Sequence, residues 1–265
     1  MICNVIDKCG GCKYRHDDYP SSLAKKQEFM ESLFGTKVEE ILRANNPYFY
    51  RNKVHDACQY SKGQIKMGKY IEGTKKVIEV DQCLIEDMTA QAINKNVRDL
   101  VESFKWSVYS EESGNGLFRG SLVRVGKRTS QYLLTIIVTD SQVPSSKNFV
   151  NAILEKNPEI TSIVFNVNDS KTSMILGDTE FTAYGNGYII DRLHGLDFRI
   201  SSQSFYQVNT KMAENLYKTA VEYADLKGDE IVIDAYCGIG TISLYLSQFC
   251  KQVYGVESNS NAIRD

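Results

Sequence analysis

Ile231-Val232-Ile233-Asp234-Ala235-Tyr236-Cys237-Gly238-Ile239-Gly240 sets the architecture of the chain's last section. An apolar, β-branched run ends on an acidic residue and enters a turn with two glycines, and Thr241 to Phe249 then reads as a helix. Gln252 to Val256 is a second strand and ends on Glu257. Strand, glycine turn, helix and strand form the opening of a parallel α/β sheet. The glycines let a ligand lie against bare backbone, and a carboxylate about twenty residues on can accept hydrogen bonds from both ribose hydroxyls. Ser243 stands where a third glycine would serve a dinucleotide, so the turn suits S-adenosylmethionine at least as well as a dinucleotide.

Upstream the pattern is different. A helix is expected from Pro20 to Leu42, with an apolar face of Leu23, Phe29, Met30, Leu33 and Phe34. Short strands follow at Lys53–Tyr60, Gln64–Tyr70 and Lys75–Val80, then an amphipathic helix carrying Ile93, Val97, Leu100, Val101 and Phe104. Leu117–Val125, Gln131–Thr139 and Ile160–Val167 read as strands, with a short helix at Phe149–Lys156. Further strands at Phe181, Tyr188–Asp191 and Leu196–Ile200 precede a helix from Asn209 to Asp225. The expectation is an α+β, mostly antiparallel central domain over residues 1–200 and an incomplete Rossmann-like α/β domain over 201–265.

Cys3, Cys9, Gly10, Gly11 and Cys12 open the chain, and Cys83 lies far downstream. Four cysteines with a glycine turn between two of them suit a soft metal, as zinc or as an iron–sulfur cluster. A single CxxC hook tilts the choice toward iron–sulfur. Cys58 and Cys250 read as packing residues, and His16, His55 and His194 as structural. Seven cysteines without a secretory segment point to a reducing, cytoplasmic setting, and no apolar run is long enough for a membrane span.

The formal net charge is −2, which excludes a generally basic coat protein. Yet Arg43, Arg51, Lys53, Lys62, Lys66, Lys69, Lys75 and Lys76 face only Asp56 and Glu72 in their segment, and Arg119, Arg124, Lys127 and Arg128 form a second group. Tyr48, Phe49, Tyr50, Tyr60 and Tyr70 lie among them. Cations interleaved with aromatics suit phosphate contact and base stacking in RNA. Ser201-Ser202-Gln203-Ser204-Phe205-Tyr206-Gln207-Val208-Asn209 reads either as a polar loop that ends in a helix cap or as a glutamine reaching toward a cofactor.

Together the cysteine pattern, Tyr50-Arg51-Asn52-Lys53, Ser204-Phe205-Tyr206-Gln207-Val208-Asn209 and Asp234-Ala235-Tyr236-Cys237-Gly238-Ile239-Gly240-Thr241 resemble the RNA uracil-5-methyltransferases, most of all those of 23S ribosomal RNA. The resemblance implies a [4Fe–4S] cluster on Cys3, Cys9, Cys12 and Cys83. It also implies S-adenosylmethionine held by Gln207, Tyr236 and Glu257, with Gly238 in close approach and Thr241 a weaker contact. In that family a cysteine thiolate adds to C6 of uracil and a carboxylate removes the C5 proton after methyl transfer. Those two residues belong to later strands, so no catalytic residue is assigned, Cys237 included, and the chain alone is expected to be inactive and monomeric. The alternatives are a transfer-RNA enzyme, a non-catalytic RNA-binding protein with a structural metal cluster, and a redox protein.

Overall fold

A computed structural model describes residues 3–171 and 174–265. Helix α1 (Tyr19–Phe34) starts at Asp18, whose carboxylate accepts the Ser21 amide, and ends at Gly35. The elements that follow are β1 (Lys53–Ser61), β2 (Gln64–Tyr70), β3 (Val77–Ile78), α2 (Met88–Ser103), β4 (Phe118–Gly126), β5 (Gln131–Val138), α3 (Ser146–Lys156) and β6 (Ile160–Val167). Then come β7 (Thr179–Tyr184), β8 (Tyr188–Leu193), β9 (Leu196–Ser201), α4 (Thr210–Ala224), β10 (Ile231–Asp234), α5 (Thr241–Leu246), β11 (Gln252–Gly255) and α6 (Ser260–Arg264).

Seven strands form one sheet in the order β3-β2-β1-β4-β5-β6-β7. Only β5 and β6 run parallel, because α3 carries the chain back between them; every other pairing is antiparallel. Alternation decides the two faces. Val123, Val125, Leu134 and Ile136 pack with Ile93, Val97 and Val101 of α2 and Phe149 and Ile153 of α3 in the main core. Leu133 and Val164 point the other way. They join Ile189, Phe198 and Ile200 of the β8–β9 hairpin, Tyr217 of α4, Ile239 and Ala262 in a second core. Full burial of each large side chain here contributes about 1.5–3 kcal/mol. The hairpin thus acts as a wedge that fixes the glycine turn relative to the seven-stranded sheet.

Expectations at both ends of the chain need correction: α1 ends at Phe34 rather than running to Leu42. The apolar face of α1 is not a core face: Phe29, Leu33 and Phe34 are 53%, 64% and 63% exposed. Helical spacing tells which residues share a face, but not what lies opposite it. Helix α5 stops at Leu246 rather than Phe249, because Gln248 and Phe249 donate to Tyr245 and Leu246, three residues back, and so tighten the last turn.

His55 lies on the sheet face opposite the main core. Burial, helped by the nearby Lys69 charge, pushes its imidazole down to about 4. The folded chain therefore binds this proton less readily than the unfolded chain, so stability is lost as pH falls from about 6.5 toward 4. His55→Gln is expected to remove about 2 kcal/mol of the stability difference between pH 7 and pH 5, read by urea unfolding at both pH values.

Candidate cofactor turn and cysteine loop

Strands β10 and β11 pair in parallel from Ile231 opposite Gln252 to Asp234 opposite Gly255. The pairing continues beyond them: Val256 N–H donates to the Asp234 carbonyl at 2.9 Å, and Cys237 N–H to the Val256 carbonyl at 3.1 Å. Gly238 and Gly240 take left-handed conformations, φ 56° and 80°, that other residues adopt only under strain. The Glu257 carboxylate closes the site, accepting the Gly238 amide at 3.0 Å and the Asn259 amide at 2.8 Å. These amides, Asn259 foremost, hold its carboxyl below the usual carboxylate range. An ionised, already oriented acceptor thus stands at the carboxyl end of β11, where open α/β sheets bind ligands.

Around this turn, Ser243 donates to Asp234 at 2.6 Å and fixes the start of α5. Tyr236 is 92% exposed beside the turn. Thr241 is tied to Tyr217 of α4 at 2.9 Å, so its hydroxyl is already engaged. Cys237 is buried and sits so close to Gly255 that a side-chain carbon there would meet its sulfur at 2.9 Å. Burial, followed by the Asp234 and Glu257 charges, pushes its thiol up. Its role is packing.

Gln207 comes from a separate segment that the polar interior holds rigidly. Asn52 donates its side-chain amide to the Gln207 carbonyl and to the Thr210 hydroxyl, each at 2.9 Å. Arg124 is fully buried and donates to the Ser202 carbonyl, through both Nε and Nη2 at 3.1 Å, and to the Ser204 carbonyl. Asp265 accepts from Ser201 at 2.6 Å and from Ser204, and it forms an ion pair with Arg199 at 3.1 Å. Asn209 caps α4 by accepting the Met212 amide, as expected. Tyr236 and Glu257 therefore share one turn. Among the described residues no hydrogen bond joins the Gln207 side chain to either of them. Sequence reasoning named Asn52, Arg124, Asp234 and Ser243 without these structural roles and passed over Asp265, because their partners are too distant in the chain or too common in type to signal a role.

The cysteine loop is the second candidate. Cys9 makes an isolated antiparallel bridge with Ile71, and its sulfur accepts the Gly11 amide at 3.4 Å. Arg15 donates to the Cys9 carbonyl at 3.1 Å and pairs with Glu72 at 2.7 Å. Asn4 reaches Asp81 at 2.7 Å, and Gln91 of α2 clamps the backbone of Cys83 through its amide at 2.7 Å and its carbonyl at 2.9 Å. Burial, then the charges of Cys9 and Cys3, push the Cys12 thiol up, so those three lie within electrostatic reach of one another. Burial pushes Cys83 up to about 12, and Tyr50 lies within electrostatic reach of both Cys12 and Cys83.

The four sulfurs are suitable in kind for zinc or iron. Among the described residues, no three His, Cys, Asp or Glu side chains are gathered closely enough to hold a metal ion. Gathering four thiolates raises their mutual repulsion, which a bound cation offsets. Cys58 is buried in the main core and Cys250 donates to the Leu246 carbonyl; both are packing residues.

The cationic segments are less free than composition suggested. Arg124 is internal. Lys69 pairs with Asp56 at 2.7 Å and Glu86 at 2.6 Å, Lys127 with Asp87 at 2.5 Å and Arg128 with Glu214 at 2.6 Å. Arg119 donates to the carbonyls of Asn168 and Ser170. Among the described residues, no helix is long and apolar enough to cross a membrane.

No protein-family profile matches the chain. Proteins named uncharacterized RNA methyltransferases do. The chain is 39% identical over 98% of its length to one from Clostridium tetani, 38% over 100% to one from Clostridium acetobutylicum and 36% over 99% to one from Staphylococcus aureus. It spans 58–60% of the length of these relatives. Among solved structures, it superposes on the tRNA (uracil-54, C5)-methyltransferase of Pyrococcus abyssi, in complex with S-adenosyl-L-homocysteine, with a TM-score of 0.80 at 27% identity. That match covers 97% of this chain and 60% of the other.

Proposed function

We propose, from its likeness to proteins named RNA methyltransferases over 98–100% of its own length, that the chain serves S-adenosylmethionine-dependent methylation of C5 of a uridine in ribosomal RNA. The superposition on a uracil-C5 methyltransferase in complex with S-adenosyl-L-homocysteine supports the reaction and the cofactor, and the ribosomal substrate rests on the sequence resemblance. S-Adenosylmethionine supplies an electrophilic methyl group. The chain's own part is to position it. Glu257 would accept both ribose hydroxyls, Tyr236 would cover the nucleoside beside the turn, and Gly238 would allow backbone approach. Gln207 would approach from the segment that Asn52 and Arg124 hold in place.

Cys3, Cys9, Cys12 and Cys83 would hold a [4Fe–4S] cluster, with zinc as the alternative metal; the donor set fits, and the role assigned is structural. The observation favouring a transfer-RNA substrate is the same structural likeness, because that neighbour's substrate is a tRNA. Titration of the anaerobically purified chain, with iron and sulfide analysis of the same sample, tests these points. Binding of S-adenosylhomocysteine, with 23S ribosomal RNA fragments preferred over tRNA transcripts, is the expected result. Preference for tRNA would replace the substrate, and failure to bind either cofactor or RNA would overturn the reading.

A further inference from the structure

Three separate segments line a cavity of about 380 Å³ away from the glycine turn: the loop 43–50, the β4–β5 turn and the first turns of α4. Its cations are Arg43, Lys127, Arg128 and Lys211, and no carboxylate lines it. Lys127 and Arg128 are anchored by Asp87 and Glu214. Among the described residues, neither Arg43 nor Lys211 has an ion-pair partner, and both are exposed.

The aromatic part of the wall is built rather than loose. The Asn46 side chain accepts the Tyr48 amide at 3.0 Å, the Phe49 amide donates to the Leu84 carbonyl at 2.8 Å, and the Phe49 carbonyl accepts Lys127 Nζ at 2.8 Å. Phe49 takes a left-handed conformation, φ 52°, held by those bonds. This backbone path leaves the Tyr48 ring 42% exposed at the cavity rim. Such a volume is of the size that seats a small organic group.

We propose that this cavity is an RNA-strand subsite: one nucleobase stacks on Tyr48, and the phosphates flanking it meet Arg43 and Lys211. The assignment rests on the RNA-methyltransferase reading and deepens it by naming where the strand runs outside the cofactor turn. Paired Lys127 and Arg128 shape the wall and the two unpaired cations supply the charge. Stacking on an aromatic face is tolerant of sequence, so the subsite adds affinity without choosing a base.

Fluorescence anisotropy of a labelled single-stranded uridine-containing RNA on the full chain tests it. Tyr48→Ala is expected to weaken binding about tenfold. The double variant Arg43→Ala/Lys211→Ala is expected to lower the slope of log affinity against log salt by about 0.7 for each cation removed. S-adenosylhomocysteine binding, which uses other residues, should be unchanged in both variants and reports that they are folded. Unaltered RNA affinity and salt slope in the variants would overturn the subsite while leaving the functional reading intact. Wild-type chain that binds cofactor but no RNA would overturn both. Displacement of the labelled RNA by free uridine monophosphate at equal affinity would overturn the strand assignment.

Discussion

Glu257→Ala is expected to lower affinity for S-adenosylhomocysteine about a hundredfold. The carboxylate is held ionised by the Gly238 and Asn259 amides, so its remaining lone pairs are fixed in direction before any ligand arrives. Two hydrogen bonds from ribose hydroxyls to an ionised acceptor would strengthen binding together, and losing both is expected to remove roughly two decades in affinity. Glu257→Gln keeps one carbonyl acceptor but loses the charge, and should fall between wild type and Ala. Calorimetric titration separates the three proteins. An Ala variant that binds within threefold of wild type, with an unchanged circular dichroism spectrum, would remove Glu257 from the site.

Much of the fold could be read from local pattern where that pattern is self-sufficient. The β-branched run Ile160–Val167 is β6 with the same bounds, and Gln64–Tyr70 is β2. The Asn209 cap and the strand–turn–helix around Gly238 were equally readable, since each is a short-range signal with one physical meaning. What could not be read depended on partners distant in sequence. Lys75–Val80 was expected as a full strand, yet only Val77 and Ile78 pair, with Tyr70 and Lys69. Arg124 was grouped with RNA-facing cations because composition cannot distinguish an outward arginine from one whose alternation on β4 turns it inward. Asp265 was invisible for the same reason: its partners Ser201, Ser204 and Arg199 lie more than sixty residues earlier.

The inward arginine leads to the second large effect. Arg124→Met is expected to destabilise the chain by about 3–5 kcal/mol, the usual consequence of removing one member of a buried charged network. Burial pulls the guanidinium down to about 10, while the charges of Asp265 and Glu180 work in the opposite direction. The intact network is therefore worth less than its disruption costs. Methionine fills part of the volume but strands the Ser202 and Ser204 carbonyls, and it leaves the buried Asp265 carboxylate with Arg199 as its remaining cation. Lysine restores the charge but cannot present the planar fork that reaches Ser202 through two nitrogens, so Arg124→Lys should recover less than half of the loss. Urea unfolding gives the free energies. For a chain of this size, 3 kcal/mol corresponds to a fall of about 6 °C in melting temperature. Because Arg124 holds the backbone leading to Gln207, the Met variant should also bind S-adenosylhomocysteine more weakly at temperatures where it remains folded. A Met variant within 1 kcal/mol of wild type, with unchanged cofactor affinity, would show that Asn52 alone holds the Gln207 segment in place.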